Sequence, residues 1–277
     1  MILEPERVRF LVRAALDEDL GRGDLTTSVI VPESTRACGD LVAKQELVVA
    51  GMDVAWAAFQ ALDPAAKWEP EAREGDRFFP GTVMGSVTGR ARALLTAERV
   101  ALNFLQRMCG VATLTRRFVD AAAGTRARIR DTRKTTPLLR FLEKYAVEVG
   151  GGVSHRPGLD AAILVKENHI RIAGSVRQAT LRAVAGAEGG EVEVEVERIE
   201  QIDEAILAGA HMLLLDNFTP GEVRAAMEVV AARVPIEVSG GVRLDNVREY
   251  AEAGPDYIAV GALTHSAPAA DISLDIE

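Results

Sequence analysis

The stretch EVEVEVERIEQIDEAILAGAHMLLLD, residues 191–216, is typical of a strand, a helix and a second strand in succession. Valine and glutamate alternate strictly over residues 191–196, which in a strand places the valines on one face and the glutamates on the other. Apolar residues recur at helical spacing over residues 199–208, and residues 212–216 form a second apolar run. Two strands joined by a helix predict a parallel sheet with a right-handed crossover.

The same unit recurs after Gly124. Strands are predicted at 128–131, 161–166, 191–196, 212–216, 236–239 and 257–260, and helices at 137–147, 175–184, 199–208, 220–232 and 244–253. This many units fits either a closed α/β barrel or a doubly wound sheet. Nearly every strand ends in a polar residue or a glycine, which favours the barrel because its strand ends meet at one face, where active sites lie.

The first part of the chain has a different pattern. We predict a helix at 4–20, two strands within 35–50, a helix at 51–62 and short strands within 67–92, which together indicate a mixed α/β domain. A long helix is predicted from an N-cap at Thr96 to about Ala123, with a break at Gly110. We therefore expect a first domain at 1–108, a barrel domain at 109–267, and a tail at 268–277 that packs back onto the first domain.

The composition excludes several classes of protein. A net charge of -9 and a pI of about 5.2 argue against a nucleic-acid partner. No apolar run approaches the length of a membrane helix, so no membrane partner is expected. With only Cys38 and Cys109, a disulfide scaffold is not expected, and a cytoplasmic location is predicted. The motifs of zinc, dinucleotide, P-loop and serine-hydrolase sites are absent from the sequence.

A cluster of cations stands out against this acidic background. Arg133, Lys134, His155, Arg156 and Lys166 follow predicted strands or flank the glycine run at 150–152. Any one of them is most simply a solvated surface charge, but their shared placement favours a small ligand with several negative charges.

Arg99 is a sixth candidate. It lies near the start of a predicted helix, where a cation interacts unfavourably with the helix dipole. A functional role for Arg99 would explain why a cation occupies this position.

Carboxylates and glycines complete the predicted mouth of the barrel. Glu195 and Asp216 end two strands, and Lys166 is the expected partner of such buried carboxylates. The turns Ser239-Gly240-Gly241 and Gly261 follow the last two strands, where barrels bind phosphate through backbone N–H groups. His265 follows, and its position is equally compatible with a contact to the same anion and with a structural role.

Nine segments together resemble one family, the quinolinate phosphoribosyltransferases, and cover nearly the whole chain. They are DLGRGDLT (19–26), AERVALN (97–103), DTRKTT (131–136), GGGVSHR (150–156), VKENH (165–169), EVEVE (193–197), LLLDNF (213–218), SGGV (239–242) and GALTHS (261–266). The resemblance implies an α/β fold, with an N-terminal α/β sandwich domain and an incomplete, seven-stranded TIM-like α/β barrel.

The resemblance also implies an activity: phosphoribosyl transfer from phosphoribosyl pyrophosphate to quinolinate with decarboxylation, which gives nicotinate mononucleotide, pyrophosphate and CO2 in NAD biosynthesis, with Mg2+. It implies catalytic roles for Lys166, Glu195 and Asp216, with Glu195 and Asp216 at the metal directly or through water. The implied quinolinate ligands are Arg99, Arg133, His155, Arg156 and Lys166. The implied phosphoribosyl pyrophosphate ligands are Lys134, Glu195, Asp216, Ser239, Gly240, Gly241, Gly261 and His265.

The family also implies a homodimer, or a higher oligomer built from it, in which Arg99 reaches the partner's site. Three alternatives stay open: a related enzyme that uses nicotinate without decarboxylation, a paralogous phosphoribosyltransferase of the same fold with another substrate, and a non-catalytic barrel that binds a phosphorylated metabolite. The excess of cations argues against the first, and carboxylates facing Lys166 argue against the last.

Overall fold

The computed structural model describes residues 2–277, which form two compact units. The first comprises residues up to 116 together with 141–150 and 267–277, and the second comprises 117–140 and 151–266. The helices are α1 (Pro5–Leu20), α2 (Leu25–Ile30), α3 (Met52–Leu62), α4 (Ala91–Ala121), α5 (Arg140–Val149), α6 (Glu167–Ala173), α7 (Val176–Gly186), α8 (Glu200–Leu207), α9 (Pro220–Val230), α10 (Val247–Glu252) and α11 (Ala262–His265). The strands are β1 (Arg36–Ala43), β2 (Leu47–Val48), β3 (Lys67–Pro70), β4 (Arg77–Phe78), β5 (Val83–Arg90), β6 (Arg128–Arg130), β7 (Ile163–Val165), β8 (Val192–Val196), β9 (Met212–Asp216), β10 (Ile236–Ser239), β11 (Tyr257–Ala259) and β12 (Ile272–Ile276).

The first unit is built on an antiparallel sheet in the order β12-β1-β5-β3, with a separate pair β2-β4. Helices α1 and α3, both predicted, pack against each other in this unit. The mixed α/β character predicted for this part of the chain is therefore confirmed. The domain boundary predicted near residue 108 falls inside α4 and stays a prediction.

Helix α4 differs from its prediction in two ways. It begins at Ala91, not at Thr96, because the Ala91 N–H donates to Thr35 O (2.9 Å) where β5 ends. It also continues through Gly110 without a break. A Cβ at residue 110 would overlap the carbonyl oxygen of Pro268, so glycine here permits a close approach of the tail.

Arg99 therefore lies about two turns inside α4 rather than at its start. The helix dipole acts mainly in the first turn, so Arg99 does not oppose it, and the predicted position of Arg99 near the helix start is wrong.

The second unit is a parallel sheet of six strands in the order β6-β11-β10-β9-β8-β7. A single parallel bridge between Arg130 and Val153 adds a seventh position beside β6. This is the predicted incomplete α/β barrel, with its seventh strand reduced to one bridging residue. Three elements differ from expectation. Helices α6, which follows Lys166, and α11 were not predicted. Helix α5 clusters with the first unit, where Glu143 pairs with Arg107 (2.7 Å).

Strand β8 shows the alternation that its sequence predicts. Val192, Val194 and Val196 are fully buried, and Glu193 and Glu195 are only 8% and 9% exposed. A charged residue that is so deeply buried requires a partner, and for both glutamates that partner lies on the barrel-facing side.

None of the helices in the described part of the chain combines the length and apolar character that crossing a bilayer requires. Cys109 is buried within α4, and Cys38 is partly exposed; both are free thiols.

Candidate active site

A cavity of about 690 Å³ opens at the carboxyl ends of the barrel strands. All the predicted site residues except Arg99 line it: Arg133, Lys134, His155, Arg156, Lys166, Glu195, Asp216, Ser239, Gly240, Gly241, Gly261 and His265. The structure thus brings together residues that are far apart in the sequence. Arg99 lies on α4 in the first unit and is not part of this cluster.

Two arginines in the cavity wall form no ion pair with any residue of the described range 2–277, although the charge of Glu193 acts on Arg156. The Nε atoms of Arg133 and Arg156 are both buried without a hydrogen-bond partner. Nη1 of Arg156 donates to the carbonyl of Ala162 (2.7 Å), which holds the side chain in place without neutralising it. Burial lowers the pKa of Arg156, and the nearby charge of Arg133 lowers it further. Two neighbouring guanidinium groups with buried Nε atoms favour an anion with planar oxygen pairs, such as a carboxylate or a phosphate.

Lys166, Glu195 and Asp216 form a second group on neighbouring strands. Lys166 Nζ lies 3.4 Å from Glu195 Oε2, and Glu195 Oε1 accepts from the Glu167 N–H (3.2 Å) at the start of α6. The predicted pairing of Glu195 with Lys166 is therefore confirmed. Burial raises the pKa of Asp216, the charge of Glu195 raises it further, and Lys166 opposes both effects.

The proximity of two carboxylates tests whether a metal fits here. Mg2+ prefers carboxylate oxygens and water as ligands, and a divalent cation beside Glu195 and Asp216 would relieve the repulsion that raises the Asp216 pKa. The donor set therefore fits Mg2+, held directly or through water.

Two glycine turns form the opposite wall. Gly240 has φ +92°, and a Cβ there would overlap Asn217 Oδ1 and lie 2.9 Å from Asn217 N. Asn217 in turn donates through Nδ2 to Asp216 Oδ2 (2.7 Å). The conformation of this turn thus fixes one carboxylate of the site.

Around Gly261, the second turn holds its neighbours closely. A Cβ at residue 261 would lie 3.2 Å from both His265 Nε2 and Lys134 Cδ. Because His265 Nδ1 is engaged with Ser266 Oγ (2.6 Å), its Nε2 is the nitrogen that faces the turn. A glycine turn, an imidazole and a lysine side chain lie together here, which is a combination typical of phosphate sites.

A further cluster lies inside the barrel and was not predicted. His155 Nε2 is 3.2 Å from Glu193 Oε2 and 3.6 Å from Glu237 Oε1, while Arg130 Nη1 donates to Glu237 Oε2 (2.6 Å). We call Arg130, His155, Glu193 and Glu237 the inner cluster. Its sequence signal was a single glutamate at the inward position of the apolar strand β10, two residues before Ser239.

The inner cluster has the donor atoms of a metal site, but its histidine carries a proton on the nitrogen that would have to bind the metal. One atom from each of His155, Glu193 and Glu237 lies within 4.8 Å of the others. However, His155 Nδ1 accepts from the Arg156 N–H (2.7 Å), so the proton of a neutral ring lies on Nε2. That proton occupies the lone pair that a metal would need.

Comparisons with known proteins agree along the whole chain. The family described as Quinolinate phosphoribosyl transferase, N-terminal domain, matches residues 24–109, and its C-terminal domain matches residues 111–275. The nicotinate-nucleotide pyrophosphorylase (carboxylating) of Mycobacterium leprae is 45% identical over 280 residues, which cover 99% of this chain and 98% of that protein. The probable nicotinate-nucleotide pyrophosphorylase (carboxylating) of Bacillus subtilis is 42% identical, covering 94% and 90%. The crystal structure of NadC from Streptococcus pyogenes matches with a TM-score of 0.96 and 38% identity, covering 100% and 99%.

Proposed function

This chain belongs to the quinolinate phosphoribosyltransferase family, and we infer that it transfers phosphoribosyl from phosphoribosyl pyrophosphate to quinolinate with decarboxylation, as a pentosyltransferase of NAD biosynthesis. The products are nicotinate mononucleotide, pyrophosphate and CO2. One observation carries the proposal: a single cavity holds uncompensated arginines beside a pair of carboxylates. Anion binding alone gains nothing from carboxylates, whereas a reaction that develops positive charge does.

We assign the quinolinate carboxylates to Arg133, Arg156 and Lys166. His155, which was also predicted to hold them, lines the same cavity, but both of its ring nitrogens face groups of the protein. Support comes from the buried, unpartnered Nε atoms of the two arginines, which a dicarboxylate would satisfy. Lys166 is half exposed and bound to Glu195 on one side only, so its ammonium group retains free donors for a carboxylate.

Phosphoribosyl pyrophosphate would bind along the glycine turns. We assign the 5′-phosphate to Ser239, Gly240, Gly241, Gly261 and His265, because they line the cavity together and glycine turns leave main-chain N–H groups accessible to an anion.

Lys134 has its side chain beside Gly261 and is assigned to the pyrophosphate. Thr264 Oγ1 donates to the Lys134 carbonyl (2.8 Å), which fixes the main chain from which this side chain projects.

The bond between the ribose C1 and the pyrophosphate oxygen would break as the quinolinate nitrogen attacks C1. Positive charge develops at C1, and we propose that Glu195 and Asp216 stabilise it. Decarboxylation follows on the pyridinium formed: the bond from the ring carbon to CO2 breaks, its electron pair stays on that carbon and is stabilised by the adjacent positive nitrogen, and a proton from water then takes the place of CO2. No organic cofactor is required for that step.

Mg2+ is proposed as the cofactor, held by Glu195 and Asp216 directly or through water. When bound, it would neutralise charge on the pyrophosphate leaving group. The support is the fit of the donor set and the like-charge repulsion that raises the pKa of Asp216.

We also propose a homodimer with shared sites, in which Arg99 of each chain serves the site of its partner. Arg99→Ala mixed with Lys166→Ala tests this. In a 1:1 mixture half of the dimers are hybrid, and one site of each hybrid is intact, so about a quarter of the wild-type activity should return. No recovery after subunit exchange would contradict the shared site.

A cytoplasmic location is proposed from the two free thiols, and the acidic net charge of -9 supports small molecules rather than nucleic acid as partners.

The deciding experiment is mass-spectrometric detection of nicotinate mononucleotide from quinolinate, phosphoribosyl pyrophosphate and Mg2+. Nicotinate in place of quinolinate tests the related non-decarboxylating activity. Lys166→Ala removes a charged hydrogen bond worth about 1.5–3 kcal/mol, so kcat/KM should fall about 10- to 150-fold while the fold remains intact. Full activity in that variant would remove Lys166 from the site, and no product with the wild type would overturn the proposal.

A further inference from the structure

His155 has both ring nitrogens committed within the protein. Nδ1 accepts from the Arg156 N–H (2.7 Å), and Nε2 faces Glu193 and Glu237 inside the barrel. The main-chain N–H of His155 also donates to Asp131 Oδ1 (2.7 Å), so this residue is fixed at three points. The ring therefore acts on the cavity through the main chain of Arg156.

The tautomer of the His155 ring depends on the two carboxyl groups that face its Nε2 atom. Its tautomer requires an acceptor or a negative potential at Nε2, and Glu193 and Glu237 supply both. If the ring were turned over, the Arg156 N–H would face Cδ2–H and lose its acceptor, and if the proton moved to Nδ1, two N–H groups would face each other. The carboxyl groups of the inner cluster thus hold the main chain that carries one arginine of the anion site.

The inner cluster also has more negative than fixed positive charge. Glu193 and Glu237 share one permanent cation, Arg130, and Glu193 Oε1 and Glu237 Oε1 are buried without a hydrogen-bond partner. Three charged or titratable groups face Glu237: Arg130 from β6, His155 from the segment after α5, and Glu193 from β8. On the neighbouring strands, Leu214 of β9 and Tyr257 of β11 lie opposite Glu237. The ring of Tyr257 lies against the Arg130 guanidinium. One proton on the cluster makes it neutral overall.

Burial raises the pKa of Glu237 to about 7, and the charge of Glu193 adds to this effect. With one carboxyl of the cluster protonated it has no net charge, and loss of that proton places a full negative charge at the floor of a cavity lined by arginines.

We propose that Glu237 is a positioning residue of the anion site, whose carboxyl group faces Nε2 of His155 and holds the ring in place, and whose ionisation weakens the binding of quinolinate. The inference rests on the proposed function for the identity of the ligand. The sign follows from the charges: a negative charge at the floor of the cavity repels a dianion and neutralises part of the attraction of Arg133 and Arg156.

Glu237→Gln tests the proposal, because glutamine presents an amide N–H where the protonated carboxyl presents an O–H. The matched control is Glu228→Gln, on the exposed face of α9. Between pH 6 and 9, KM for quinolinate should rise on the order of tenfold in the wild type and in Glu228→Gln, with kcat much less affected. In Glu237→Gln, KM should stay at its low-pH value. An unchanged rise in Glu237→Gln would overturn the proposal.

A second measurement needs no catalysis and separates this inference from the proposed function. The chain has 4 histidines, so nitrogen NMR of ¹⁵N-histidine protein can resolve the His155 ring, with His155→Gln used for assignment. We expect Nε2–H with unprotonated Nδ1, and chemical shifts that change with a midpoint near neutral pH while the tautomer persists. A ring protonated on Nδ1, or one with no change between pH 6 and 9, would refute the positioning role. Absence of product from the wild type would instead refute the proposed function.

Discussion

Replacing Gly240 with alanine should reduce both stability and activity more than the same change at the adjacent Gly241 does. Both glycines have positive φ, +92° and +65°, so both substitutions introduce a Cβ into a backbone conformation that L residues avoid. They differ in their surroundings. A Cβ at 240 would overlap Asn217, whereas a Cβ at 241 has nothing within 4 Å.

The magnitudes follow from that difference. A left-handed conformation costs a residue with a Cβ about 1–2 kcal/mol, which is the whole expected effect of Gly241→Ala. Gly240→Ala adds an overpacking term of about 1–3 kcal/mol. Since 1 kcal/mol lowers Tm by about 2–4 °C in a chain approaching this size, the two variants should be clearly separated in thermal unfolding.

The effect on activity passes through Asn217. Displacing it breaks the hydrogen bond from Asn217 Nδ2 to Asp216 Oδ2 (2.7 Å), a bond to a charged group worth about 1.5–3 kcal/mol. Steady-state kinetics with varied phosphoribosyl pyrophosphate should therefore show kcat/KM lower by roughly tenfold or more in Gly240→Ala than in Gly241→Ala, which leaves Asn217 in place. Equal behaviour of the two variants in both assays would refute the reasoning.

Two further predictions concern ionisable groups. The charge of Glu197 raises the pKa of Asp216, so Glu197→Gln should lower that pKa and move the acid limb of the kcat/KM profile to lower pH; a limb that stays in place would show that Asp216 does not need to be ionised. Burial raises the pKa of the Cys109 thiol to about 12, so a thiol reagent at pH 8 should modify the partly exposed Cys38 and reach Cys109 only at the rate of unfolding. Mass spectrometry would measure the modification. Rapid modification of both thiols in the folded protein would contradict the buried position of Cys109 in α4.

The sequence predicts the barrel well because its strands are short and regularly spaced, and because their ends carry the polar residues. Local rules fail where a distant contact decides the outcome. Thr96 is a good N-cap by composition, but the helix starts earlier because Ala91 bonds to Thr35. Gly110 was predicted to break the helix, but glycine is required there because the Pro268 carbonyl lies against it. Neither contact is encoded near the residue that it affects.

The mouth of the site was predictable for the same reason as the barrel, since carboxyl ends of parallel strands converge. The inner cluster was not. Glu237 is an isolated charge in an apolar strand, and nothing near it in the sequence indicates that Arg130 and His155 lie beside it. Its partners are set by the curvature of the sheet, which brings β6, β8 and β10 around one interior.

Strand β12 pairs along β1, with Ala43 opposite Ile272 and Gly39 opposite Ile276. During translation the ribosome therefore delivers β1 early and its outer neighbour only after the whole barrel has been made. Until then β1 exposes a bare hydrogen-bonding edge, the feature that recruits chaperones or other nascent chains. The domain synthesised first is thus the one completed last, and a bulky fusion placed directly after residue 276 would obstruct that final step of assembly.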